Sequence, residues 1–279
     1  MRLGVSTRMG IAKDPSIRYE RLLPLLEGSS VDDVEMDANI EVNEMEWIKG
    51  FLKRSRLRLW SLHGLAGHEP LSSLRGGTRD EAMGNARRTI EVAGYLGAHA
   101  VVLHASDEPI AEHERAERLA QAKKSLASLV PTARRANAVI AVEFLPRTCL
   151  GNTLAEMFDL LEGLPKDMDG VCLDVNHVRE VDSIPKIIRE LDGRLTTIHI
   201  SDFDGIDERH WLPGKGIIDW PSVWQSLEGI GYDGPWLYES SAIYDDPEAN
   251  IRAIEENFRH WRSLVGRDRM DERNHTPTY

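Results

Sequence analysis

Eight short apolar runs, most of them closing on a polar residue, recur along this chain with helical stretches between them. They occupy residues 3–7, 31–37, 57–63, 98–104, 139–145, 170–174, 195–201 and 235–239. A strand that shows one face to water alternates apolar and polar residues. A continuously apolar run is buried on both faces, as in a parallel sheet covered by helices. The stretches between the runs carry the other period. Met83, Ala86, Ile90 and Ala93 recur at spacings of three and four, as do Leu119, Ala122, Leu126, Leu129 and Ala133. Each set places one apolar stripe along one helix face. Thr153 with Glu156 forms a capping-box pattern at the start of a further helix. Asp219 caps a helix that begins near Pro221 and stops before Gly231.

The chain has 279 residues. A rule of roughly 150 residues per domain gives about two, but α/β barrels use about 250 residues as one. Eight strand–helix pairs predict a single-domain α/β structure, a (β/α)8 barrel over residues 1–265, with a polar, loose tail over 266–279 that contains Pro277. The competing architecture is an open doubly wound sheet. It is weakened because no GxGxxG follows the first strand.

Charge narrows the function. Lys and Arg number 34 against 46 Asp and Glu, a net charge of −12. That balance argues against nucleic acid as a partner, because a protein that grips phosphates needs a basic track. The two cysteines, Cys149 and Cys172, are too few for a disulfide framework and suit a reducing cytoplasm. The N-terminal residues run directly into a strand without a secretory pattern, and no apolar run approaches the roughly 18 residues that would span a membrane.

In a barrel of this type the chemistry sits at the carboxyl ends of the strands. The third strand ends on His63 and the fourth on His104. The fifth carries Glu143, the sixth Asp174 with His177 beyond it, the seventh His199 and Asp202, and the eighth Glu239. Each alone has an ordinary structural explanation as a helix cap or a core histidine. Together they crowd carboxylates and imidazoles at one rim, and burying several carboxylates costs several kcal/mol per charge unless a cation neutralises them. Mixed imidazole and carboxylate donors suit Mn, Zn, Co or Fe better than Ca. Between the last two strands, His210 and the glycines Gly214 and Gly216 form a tight loop near the same rim.

The segments CLDVNH (172–177), IHISD (198–202), HWLPGKGIID (210–219) and IGYDGPWLYES (230–240), with AVEF at 141–144, resemble the xylose-isomerase-like barrel superfamily. That superfamily, a group of TIM barrels, holds sugar isomerases and epimerases, inosose dehydratases and zinc-dependent apurinic/apyrimidinic endonucleases. The resemblance covers roughly residues 1–262 and implies one divalent metal (Mn, Zn, Co or Mg) held by Glu143, Asp174, His199 and Glu239. In the sugar-converting members the two glutamates also serve as acid and base, and His177 matches a position that contacts substrate oxygen. The implied activity is that of a sugar or sugar phosphate isomerase or epimerase, moving a proton through a metal-bound enediolate. An inosose-dehydratase-like lyase would expel a β-hydroxyl from the same enediolate. The endonuclease members instead hold up to three zinc ions. Here His63, His104, His177 and His210 fall at their additional ligand positions, and Glu208 stands roughly where they have Asp. The acidic chain lacks a DNA-binding track, which ranks sugar chemistry ahead of DNA repair.

The expected partner is therefore a small sugar or polyol, and relatives in this superfamily are often homo-oligomers. Trp211, beside the rim loop, is a candidate wall for a sugar ring. Arg147 is a candidate for a substrate hydroxyl, carboxylate or phosphate, and Lys215 for a phosphate. Trp220, Trp224 and Trp236 are expected to pack in the core, and Trp60 to line either the pocket or the core.

Overall fold

The structure is a computed structural model. It describes the whole chain except residues 8–10, 13, 15–16, 65–69 and 275–279, and the side chains of 266–274. Eight strands close in chain order into a parallel barrel. They are β1 (Arg2–Ser6), β2 (Asp33–Asp37), β3 (Arg58–His63), β4 (Ala100–Leu103), β5 (Val139–Glu143), β6 (Gly170–Asp174), β7 (Leu195–Ile200) and β8 (Pro235–Tyr238). The helices α1 (Tyr19–Glu27), α2 (Val42–Arg54), α3 (Gly76–Leu96), α4 (Glu112–Ala136), α5 (Leu154–Leu161), α6 (Ile184–Glu190), α7 (Trp220–Gly229) and α8 (Pro247–Asn274) follow them in turn. Leu3 pairs with Trp236 and Val5 with Tyr238, which closes the ring and leaves no sheet edge. The helix α8 runs to Asn274, so residues 266–274 of the expected loose tail are helical. Residues 275–279, with Pro277, lie outside the described residues.

All eight expected runs are strands, most ending a residue or two earlier than the apolar pattern does. The chain turns out of the sheet wherever the last polar residue reaches the rim. The stripes on α3 and α4 are buried, with Leu119 partly so. They pack between sheet and helices, where most of the apolar core lies. A smaller cluster of Ala100, Val102, Ala141 and Cys172 fills the barrel interior. The two-residue period carries each of these inward series upward to the next inward position: Val102 to His104, Ala141 to Glu143, Cys172 to Asp174. The barrel's own pleat therefore lifts these groups toward the carboxyl rim.

Two register slips adjust this pattern. Between β2 and β3, Val34 faces Leu59 but Glu35 faces Ser61. Between β6 and β7, Val171 faces Leu195 but Cys172 faces Thr197, which sets Asp174 opposite His199. Irregularities of this sort re-aim side chains beside functional sites.

Of the two expected caps, Asp219 accepts from the Ser222 backbone N–H and α7 ends before Gly231, whose φ is +67°. Thr153 accepts from the Glu156 N–H at 3.3 Å. The reciprocal half of that capping box is not formed, because Glu156 turns to the Gly151 N–H at 2.8 Å and to Arg115. Trp220, Trp224 and Trp236 pack on one another in the core. Trp60 stacks on His99 at 4.5 Å, with Arg2 over its ring. It alternates with the inward Ser61 and His63, so it points away from the barrel mouth. No helix among the described residues is long and apolar enough to cross a membrane.

Candidate metal centre and active site

Glu143, Asp174, His199 and Glu239 arrive from β5, β6, β7 and the residue after β8. Each offers one donor atom, and the four atoms all lie within 4.8 Å of one another. All four residues are buried. His199 Nδ1 stands 2.9 Å from Glu239 Oε2 and 3.7 Å from Glu143 Oε1. Asp174 spends Oδ1 on the Asn176 N–H at 2.8 Å, while Oδ2 has no hydrogen-bond partner among the described residues. His199 Nδ1 likewise makes no bond of acceptable geometry. Two unsatisfied buried donor atoms beside two further carboxylates fit a cation. Atoms sharing an ion at about 2.0–2.2 Å lie roughly 3 to 3.5 Å apart. Three carboxylates and an imidazole form a hard-to-borderline donor set suited to a divalent ion.

The electrostatics agree. Burial and the neighbouring Glu239 charge push the Asp174 carboxyl well above its ordinary range. Burial also works against Glu143 and Glu239. The imidazoles outweigh it: His104, with His199 and His63, holds Glu143 well below the usual value, and His199 does so for Glu239. The site thus holds Glu143 and Glu239 in an anionic state beside Asp174, whose charge is opposed by burial and by Glu239 more than the nearby imidazoles favour it.

Glu143 is held from one side. Its Oε2 meets His104 Nε2 at 2.7 Å and His63 Nε2 at 3.1 Å, which turns Oε1 toward His199 and His177, each 3.7 Å away. His63 also directs Nδ1 to the Gly64 carbonyl at 3.0 Å. Both neighbours are acceptors, so a ring that donates Nδ1–H to Gly64 leaves its Nε2 lone pair facing the centre. His63, Glu143 and His199 accordingly form a second group of convergent donors.

His177, Glu208 and His210 make a third group at the outer rim. His177 donates Nδ1–H to the Phe144 carbonyl at 2.9 Å, which leaves Nε2 facing Asp174 Oδ2 at 3.5 Å and Glu208 Oε2 at 3.7 Å. His210 has φ +47°, strained for a non-glycine, and directs Nδ1 to the Glu239 carbonyl at 3.1 Å. The loop that carries Glu208 and His210 is built on Asp202. Its carboxylate accepts from the N–H groups of Phe203, Gly214 and Ile218 and from Trp220 Nε1, and its backbone pairs with Trp211. Gly216 is required there, since a Cβ would collide with the Phe203 carbonyl and the Asp202 carboxylate.

The remaining expected residues fall differently. Arg147, at φ +49°, is engaged by two carboxylates, Glu108 and Glu208, and so bridges three loops. It lines a cavity of about 750 Å³ together with His177, Glu208 and Phe203. Trp211 is 39% exposed at the rim. Lys215 is exposed. One residue escapes a reading confined to strand ends. Glu35, two positions inside β2, is fully buried and accepts from Ser61 Oγ at 2.7 Å and from His199 Nε2 at 3.1 Å. The signal was present in the alternation Asp33, Val34, Glu35, Met36, Asp37, which aims the acids at the barrel interior.

This barrel, with its buried carboxylate–imidazole centre, has a matching family: residues 28–264 fit the description xylose isomerase-like TIM barrel. The chain belongs to that family. It is 26% identical over 149 residues to a D-psicose 3-epimerase of Enterocloster bolteae, covering 52% of this chain and 46% of that one. The chain thus spans about half the length of that curated relative. Among solved structures, an L-ribulose 3-epimerase superposes with a TM-score of 0.81 at 18% identity, covering 99% of both chains. The IOLI protein, solved with a zinc atom bound, superposes with a TM-score of 0.79 at 18% identity, covering 95% of this chain and 99% of that one. At such identities these superpositions speak for the fold.

Proposed function

We propose that the chain is a divalent-metal-dependent sugar isomerase or epimerase, with Glu143, Asp174, His199 and Glu239 as the ligands and the two glutamates as acid and base. The observation that carries this reading is the convergence of those four buried donor sets within 4.8 Å, two of their atoms unsatisfied. Family membership and the psicose-epimerase relative support the sugar substrate. When bound, the ion supplies Lewis-acid polarisation of a substrate carbonyl, which acidifies the neighbouring C–H.

The chain's own residues supply the rest. Glu143 and Glu239 stand on strands three apart in the ring, so they approach the shared centre from different directions. One takes the proton from the carbon beside the carbonyl and the other returns a proton, to the opposite face in an epimerase or to the adjacent carbon in an isomerase. His104 and His63 anchor Glu143 Oε2 and leave Oε1 to face the reacting carbon. His177, with its Nδ1–H committed to Phe144, offers Nε2 to a substrate hydroxyl. Trp211 walls the rim.

The test is incubation of metal-loaded protein with ketoses and inososes in deuterated water. One deuteron incorporated beside the carbonyl is expected, and it should vanish in Glu143→Gln and Glu239→Gln. Loss of water from an inosose would redirect the reading to a lyase.

A second reading follows from the other two donor groups, His63–Glu143–His199 and His177–Glu208–His210. Together they outline a multinuclear zinc site suited to phosphodiester hydrolysis. Cleavage of an oligonucleotide carrying an abasic site, without deuterium exchange into any sugar, would establish it. The net charge of −12 and the capture of Glu208 by Arg147 weigh against it.

A further inference from the structure

Glu35 has no part in the chemistry above, yet it is among the most deeply buried acids of the barrel. Burying a carboxylate is unfavourable, and a glutamine would accept the same two hydrogen bonds without carrying charge. Its surroundings say what the charge is for. Ser61 Oγ donates to Oε2 at 2.7 Å, and His199 Nε2–H donates to the same oxygen at 3.1 Å. The register slip between β2 and β3 brings Ser61, rather than Trp60, opposite Glu35. The slip between β6 and β7 brings His199 opposite Asp174. The first slip sets Ser61 beside Glu35, the second sets Asp174 beside His199, and the Glu35–His199 hydrogen bond joins the two pairs across the barrel interior.

The consequence falls on the other ring nitrogen. Once a metal displaces the second ring proton, an imidazole that donates Nε2–H to Glu35 has its lone pair on Nδ1, and Nδ1 is the atom that faces Glu239 and Glu143. We propose that Glu35 is the positioning residue of the metal centre: it fixes the tautomer and orientation of His199 and places a negative charge one imidazole away from the ion. Such an outer carboxylate raises the basicity of the ligating nitrogen and tightens metal binding. The inference rests on the reading of Glu143, Asp174, His199 and Glu239 as metal ligands.

The test uses the full chain stripped of metal by a chelator and titrated with Co(II) and Zn(II) against a competing chelator. It compares wild type, Glu35→Gln, Glu35→Leu and Ser61→Ala. Co(II) absorption spectra report ligand geometry, and melting of the metal-free forms reports structure alone. Glu35→Gln keeps an acceptor for Nε2–H, so it should keep the wild-type Co(II) spectrum while binding about tenfold more weakly. Glu35→Leu loses acceptor and charge, so its spectrum should change and its affinity should fall toward a hundredfold. Ser61→Ala should fall less than Glu35→Gln. If Glu35→Gln lowers the melting temperature of the metal-free form but binds both ions like wild type, Glu35 is a structural anchor only and the proposal is overturned. If Glu35→Leu does not fold, that comparison of Glu35→Gln still decides. A wild type that takes up neither ion overturns the metal-centre reading, and the proposal with it.

Discussion

His104 and Glu143 meet at 2.7 Å where β4 and β5 deliver their last inward side chains to the barrel mouth. The contact fixes which oxygen of Glu143 faces inward, and with Glu143 in the proposed acid–base role it bears on catalysis more than on folding. His104 is 27% exposed, so trimming it leaves no deep cavity. His104→Ala is expected to lower kcat on the exchanging sugar by about ten- to a hundredfold, while far-UV circular dichroism and the melting temperature stay close to wild type. Steady-state kinetics with thermal melts would check it. An unchanged kcat would show that Glu143 needs no anchor.

Metal removal should be felt as stability. An ion that binds only the folded chain contributes about 4 kcal/mol at a concentration a thousand times its Kd. For a chain of this length that is a rise of several degrees in Tm. Calorimetry with and without chelator should show this for wild type and lose it in His199→Ala and Asp174→Asn. Asp174→Asn is also expected to melt higher than wild type when both are metal-free, because it removes a buried carboxyl whose charge burial and Glu239 oppose.

Arg147 is expected to hold loops rather than to seize a phosphate. Glu108 and Glu208 already occupy its guanidinium, and they in turn raise its affinity for the proton. Half-exposed ion pairs contribute little, so Arg147→Gln should cost less than about 1 kcal/mol in denaturant unfolding. The preference between a ketose and its phosphate should be unchanged. A selective loss of the phosphorylated substrate would restore Arg147 as an anion site.

Asp202 carries more. Its carboxylate serves three backbone N–H groups and the Trp220 indole in a buried setting. Asp202→Ala leaves those donors unpaired, and about 2–4 kcal/mol of lost stability is expected. Urea unfolding measures it directly. Protease sensitivity between residues 203 and 219 should rise with it.

Both cysteines should be inert in the native protein. Burial pushes the Cys149 thiol up to about 11 and Cys172 well above its ordinary value. Folding raises both groups: the Cys149 thiol is retained until pH approaches about 11, and burial likewise holds Cys172 in its thiol form. Reaction with a disulfide reagent at pH 8 should be slow in the native state and rapid in denaturant. Fast native labelling at neutral pH would contradict the burial of both.

Much of this was legible before any coordinates. Continuous apolar runs identify strands covered on both faces, and the polar residue that closes each run identifies the rim. That logic gathers Glu143, Asp174, His199 and Glu239 at one rim together with His63, His104, His177 and Asp202, because strand ends in a parallel barrel share one rim; it took the family resemblance to single out the four as a ligand set. It could not find the partners of long side chains. Arg147 reads in the sequence as a substrate-binding cation or as half of a surface salt bridge, and the choice is open there because its two carboxylates come from loops 39 and 61 residues away. Glu35 was missed for a different reason. It lies mid-strand, and only closure of the barrel brings β2 and β7 within hydrogen-bond reach.

The most direct measurement is the metal content of the protein as purified, by plasma mass spectrometry, alongside the His199→Ala variant. The account predicts close to one divalent ion per chain in the wild type and a marked loss in the variant. A wild type that contains no divalent ion, and takes up none from Mn, Co or Zn, would contradict it.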